Sequence, residues 1–149
     1  MAAVPATIAL SDAGDAATVK AVEDGLIAFN AAAARPHDWR ELTLSVRRAG
    51  EAEVAGGLVG RTYFGWLFVS LFYLPPDLRR QGLGAELLRR AEEEALARGC
   101  IGSYLDTFSF QARGFYEKHG YSVFGAIPDH PPGHGRFFLS KHLGAPPAT

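Results

Sequence analysis

Leu74-Pro-Pro-Asp-Leu-Arg-Arg-Gln-Gly-Leu-Gly84 separates the most apolar stretch of the chain from its most regular amphipathic one. On its N-terminal side, Trp66-Leu-Phe-Val-Ser-Leu-Phe-Tyr-Leu74 carries a single polar residue, Ser70, and reads as a central strand buried on both faces. On its C-terminal side, Leu83, Leu87, Leu88, Ala91 and Ala95 share one face of a helix from Gly82 to Arg98, which Gly99 ends. Arg89, Arg90, Arg98 and the glutamates 92–94 take the solvated face. The quoted loop is thus a strand-to-helix junction. A helix N-terminus offers unpaired N–H groups and about half a positive charge. Gly82 and Gly84 lack a Cβ, so a large anion can approach the main chain from Gln81 through Leu83 to Ala85. Arg79 and Arg80 add positive charge, and no acid intervenes between Leu78 and Ala85. The loop is built for a diphosphate.

Two nucleotide motifs do not fit. No Gly-Lys-Ser/Thr follows, so the lysine and magnesium-binding hydroxyl of a P-loop are absent. The dinucleotide fingerprint needs a third glycine where this chain has Leu87, and it opens a strand-helix-strand unit, whereas here three strands precede the loop.

Those strands read outward from the loop. Val54–Tyr63 contains Gly56-Gly57, which signals a bulge or a close backbone approach. Before it, Leu42, Leu44 and Val46 alternate with polar residues. Short turns make the three an antiparallel meander. Earlier still, Thr7–Leu10 reads as a first strand and the segment to Ala34 as a helix capped by Ser11 or Asp12, with Gly25 as a point where it can split. Beyond the long helix come a strand over Ile101–Phe108, a short helix over Gln111–His119, and closing strands over Tyr121–Ala126 and Arg136–Lys141. Trp66–Phe108 is then a right-handed parallel crossover. The expected domain is residues 1–143, with a frayed tail over 144–149.

Composition bounds the rest. The chain has 149 residues, 48% hydrophobic and 21% charged, with a formal charge of -1. No apolar run approaches the roughly 20 residues needed to span a bilayer, and no overall basic field attracts nucleic acid. One cysteine, Cys100, excludes a disulfide framework and reads as a small buried apolar residue. With no secretory leader visible in the first ten residues, the expected compartment is the cytoplasm. His130 and His134 are four apart, but Pro131-Pro132-Gly133 forbids the helix that would bring them onto one metal, so no metal is expected. A small metalloenzyme built on the histidines is the weaker alternative.

Arg79-x-x-Gly82-x-Gly84, the buried strand before it, the helix after it, and the later Phe115-Tyr-Glu-Lys-His-Gly-Tyr121 together resemble the GCN5-related N-acetyltransferase (GNAT) superfamily. The close resemblance covers about residues 66–126, and the N-terminal third matches in element order only. It implies an α+β three-layer fold with a mixed, mostly antiparallel seven-stranded sheet and helices on both faces. The sheet would splay between its fourth and fifth strands, 66–74 and 101–108. It implies acetyl-CoA as cofactor, with main-chain groups of Phe72, Tyr73 and Leu74 pairing with the pantetheine arm, and Ser109 and Phe115 in the second cofactor segment. The activity implied is acetyl transfer to a primary amine, on a small molecule or an exposed amino group, by direct attack in a ternary complex. Family habit also allows a homodimer.

By the same resemblance Tyr116 matches the family's proton donor to the departing thiolate. The chain departs from the pattern twice: Ser109 stands where relatives carry asparagine, and no carboxylate lies on the strand 66–74. Asp106, across the expected cleft, is the substitute for the missing base. The stiff Asp129–His134 segment, with His130 and His134, forms a substrate-side lip, joined by Trp39 and Phe108. The two departures leave a second reading open, a non-catalytic acyl-CoA-binding or regulatory module.

Overall fold

A computed structural model of the chain describes residues 2–144. Residues 145–149 of the expected tail lie outside the described residues. The chain divides into two compact units, Met1–His37 and Asp38–Thr149.

The first unit contains helix α1 (Ala16–Ala33). Its cap is Asp15, not Ser11 or Asp12: the Asp15 carboxylate accepts from the Ala17 N–H at 3.2 Å. Gly25 does not interrupt it. Thr7–Leu10 is irregular chain, so the sheet has six strands where seven were expected. A four-residue strand needs a partner edge to persist, and none of the described strands pairs with it.

The second unit is a mixed sheet of β1 (Arg40–Arg47), β2 (Val54–Tyr63), β3 (Trp66–Tyr73), β4 (Gly102–Phe108), β5 (Ser122–Pro128) and β6 (Gly135–His142), with α2 (Leu83–Ala97) and α3 (Arg113–Lys118). The strand order is β1-β2-β3-β4-β6-β5, and among the described strands only β3 and β4 run parallel. Leu42, Leu58, Leu67, Val69, Leu105 and Leu139 line one sheet face, where Leu88, Ala91 and Ala95 of α2 and Tyr116 of α3 complete the core.

Helix α2 is tied down by residues that helical spacing assigned to water. Arg98 donates from Nη1 to the Glu41 carbonyl and the Thr62 hydroxyl, both at 3.1 Å. Glu92 takes Lys141 Nζ at 2.7 Å and the Tyr121 hydroxyl at 3.2 Å. Long charged side chains reach across the helix end to sheet groups that a one-dimensional pattern cannot locate. Cys100 is buried, and desolvation pushes its thiol upward.

Gly56-Gly57 is a close backbone approach. A Cβ on Gly57 would lie 2.0 Å from the Leu44 carbonyl oxygen, and one on Gly56 would lie 2.5 Å from that of Tyr73. The extra residue of the β1–β2 register shift is the neighbouring Ala55. Gly57 also has φ of +151, which L side chains rarely adopt. Gly57→Ala is expected to cost about 3 kcal/mol or more, lowering the melting temperature by roughly 6–12 °C. A thermal melt within 2 °C of the parent protein would contradict this crowding.

Candidate active site

β3 and β4 stay in register for four pairs, from Trp66–Gly102 to Val69–Leu105, and then part. The cause is visible in β3. Val59 pairs with Leu71 and Gly60 with Val69, so Ser70 is an extra residue, a bulge whose hydroxyl donates to the Val59 carbonyl at 3.0 Å. A bulge bends its strand and re-aims the residues beyond it. Here it turns the end of β3 from β4 and swings Phe72 onto the core side, against Phe115 and Tyr116, with ring centroids 5.8 and 6.2 Å away. The end of β3 is therefore not buried on both faces: Leu71 is 67% and Tyr73 56% exposed.

Helix α2 begins beside this fork. Gly82 is its N-cap, at φ 83 and ψ 0, with no side-chain cap. The Glu86 N–H makes the first helical bond, to the Gly82 carbonyl at 3.0 Å. Among the described residues no group accepts from the amides of Gln81, Gly82, Leu83, Gly84 or Ala85. An anion of diphosphate size fits this set of donors. The two glycines serve different ends. Gly82 holds the left-handed turn, whereas Gly84 has ordinary backbone angles and faces the Phe115 ring, which a Cβ there would touch at 3.4 Å, an ordinary packing distance.

Other expected cofactor contacts are placed differently. Arg79 donates from Nε to the Leu74 carbonyl at 2.7 Å and lies over the Tyr73 ring, so one of that carbonyl's two lone pairs is used within the protein. Arg80 has φ of +62, a strained conformation for a non-glycine residue. The Ser109 hydroxyl accepts from the Gly135 N–H at 3.1 Å, which ties the end of β4 to β6 and leaves its own O–H to donate elsewhere.

Tyr116 is buried, and its hydroxyl has no protein hydrogen bond among the described residues. Burial, then the charge of Asp106, pushes its phenol up to about 12. Asp106 is ion-paired: Arg136 donates from Nε to Oδ1 at 2.9 Å, and its Nη2 lies 2.8 Å from the same oxygen. Arg136 carried no sequence signal. It is found through the β4–β6 register, which sets it opposite Phe108.

The expected substrate lip is brought together in part. Phe108 stacks on Phe110 at 5.3 Å, His130 packs on Phe108 at 5.5 Å, and His134 packs on Phe110 at 5.0 Å. Trp39 stands at the other end of the sheet, beside Tyr63 at 5.4 Å.

An open fork in a parallel pair, next to an uncapped helix start, is matched by comparison with known proteins. Residues 15–121 match the model of the acetyltransferase (GNAT) family. The chain belongs to that family. It is 41% identical over 134 residues to acetyltransferase Atu2258 of Agrobacterium fabrum, covering 90% of this chain and 97% of the relative. It is 47% identical over 92 residues to blasticidin-S acetyltransferase of Streptomyces morookaense, covering 61% and 68%. A solved acetyltransferase from Bacillus cereus superposes with a TM-score of 0.80 at 32% identity, over 91% of this chain and 98% of that one. An aminoglycoside 6'-N-acetyltransferase complexed with coenzyme A shares the fold, with a TM-score of 0.63 at 17% identity over 72% and 76%.

This GNAT-family chain is an acyl-CoA-dependent N-acetyltransferase, and acetyl-CoA is its cofactor. The non-catalytic reading gives way. Among the described residues no helix is long and apolar enough to cross a membrane.

Proposed function

We propose that the protein moves the acetyl group of acetyl-CoA to a primary amine by direct attack within a ternary complex, the acceptor being a small molecule. The observation that carries this is the fork beyond Val69–Leu105, flanked by the unpaired amides at the start of α2 and by the phenol of Tyr116. A relative named for a small-molecule acceptor, blasticidin-S, supports the acceptor class. Coenzyme A supplies an activated thioester. This chain's residues supply position and hydrogen bonds, which suffice when the amine is neutral and within attack distance. The new C–N bond forms as the C–S bond breaks, and the attacking nitrogen releases its proton to water.

Amides from Gln81 to Ala85 hold the diphosphate, and the exposed end of β3 guides the chain beyond it. Tyr116 donates a hydrogen bond toward the departing sulfur. A phenol at about 12 lies well above a thiol near 8.5, so it stabilises the thiolate more by donation than by complete proton transfer. Asp106, with Oδ1 occupied by Arg136, is assigned to holding that side of the fork in place; the role of base passes to water.

Thiol release measured across a panel of amines tests the reading, and acetyl-CoA-dependent turnover of at least one is expected. The rate is expected to rise with the neutral fraction of the acceptor. It should show no falling limb below about pH 11, because a phenol at about 12 keeps its proton throughout that range. A falling limb near pH 10 that disappears in Tyr116→Phe would mean that the phenol titrates at its ordinary value despite its burial, and acetyl-CoA binding without turnover of any amine would overturn the proposal.

A further inference from the structure

On the sheet face away from α2 and α3, Arg61 of β2 stands opposite Phe68 of β3, which stands opposite Tyr104 of β4. The Arg61 guanidinium lies between two rings, 4.6 Å from Trp39 and 4.6 Å from Phe68. Its Nε is buried with no hydrogen-bond partner, and among the described residues no carboxylate pairs with it. The Tyr63 and Tyr104 hydroxyls bond each other at 2.7 Å, and neither accepts from Arg61.

An arginine stays charged at every accessible pH, and burying part of an unpaired charge is unfavourable. Ring faces offset some of that cost. A leucine or methionine would fill the same space with none of it. The two Nη nitrogens also lack a protein partner among the described residues but, unlike Nε, reach solvent, so a guanidinium packed between two rings presents them as a preorganised receptor for an anion. Its place says which anion. Phe68–Tyr104 is the pair just before Val69–Leu105, where the strands part. With strands about 4.8 Å apart, Arg61 sits roughly 5–10 Å from the line along which the fork opens.

We infer that Arg61 binds a carboxylate of the acceptor, so that the acceptor class is an amine bearing a carboxylate a few bonds from its nitrogen. This rests on the amine-acetylation reading above and narrows it. Trp39, expected as a substrate residue beside the histidines, serves instead as one jaw of this clamp.

The test uses the full chain with matched acceptors: amino acids, their amides and the corresponding decarboxylated amines. The parent protein is expected to favour the carboxylate over its amide in kcat/KM by about tenfold to a hundredfold, the range of a charge-assisted pair. Arg61→Gln should collapse that ratio toward one, and Arg61→Lys should leave part of it. Equal turnover of carboxylate and amide by the parent protein, or a ratio unmoved in Arg61→Gln, would overturn the inference. Calorimetric titration of the same compounds into the CoA-saturated protein reads the preference without turnover. A carboxylate preference there that vanishes in Arg61→Gln, with no amine acetylated, would sink the catalytic proposal and keep the receptor. Should Arg61→Gln not fold, the ratio in Arg61→Lys decides.

Discussion

Gly82→Asp is expected to lower acetyl-CoA affinity about a hundredfold, whereas Gly82→Asn lowers it tenfold or less. Gly82 sits at φ 83 with open space around a built Cβ, so either side chain meets no clash and both carry a similar backbone cost, which Asn and Asp bear better than other residues. What differs is charge. The aspartate carboxylate would sit against the free amides of Leu83, Gly84 and Ala85, satisfying them and repelling a diphosphate. Calorimetry with acetyl-CoA measures the difference, and melting temperatures of the two variants should agree within a few degrees. Equal affinities for acetyl-CoA in the Asp and Asn variants would mean that the diphosphate is held somewhere other than the start of α2.

Tyr116→Phe is expected to lower kcat by about a hundredfold while leaving acetyl-CoA affinity within about twofold. The ring contacts to Phe72, Phe115 and Tyr121 survive the change, and the lost hydroxyl has no protein partner among the described residues. Stability is therefore expected to change little, since the ring packing is kept and the hydroxyl keeps contact with solvent. An unchanged kcat would take Tyr116 out of the mechanism. A fall in kcat matched by a fall in cofactor affinity would make it a packing residue.

Much of the site was legible because its parts are local. The Gly82-x-Gly84 turn, the amphipathic face of α2 and the Phe115-Tyr116 pair each occupy a few consecutive residues, and each has a backbone or periodic requirement that residue type expresses directly. The surroundings of Asp106, Ser109 and Trp39 were not legible, for the opposite reason. Their partners, Arg136, Gly135 and Arg61, lie 30, 26 and 22 residues away in the chain and become neighbours only through strand pairing. The same holds for Glu92 and Arg98, whose partners stand on the sheet.

Residue order alone determined the elements from β1 to β6, the crossover through α2, the mismatch of the loop to the P-loop and dinucleotide patterns, and the family to which it points. It could not determine where β3 leaves β4. Ser70 reads as one polar residue in an apolar strand, and only its pairing shows that it is extra, because a bulge is a mismatch between two strands rather than a property of either. That single unpaired residue reverses which side chains face the core after it, opens the fork and brings Phe72 to Tyr116. The chemistry sits where register breaks, and register exists only once the strands have met.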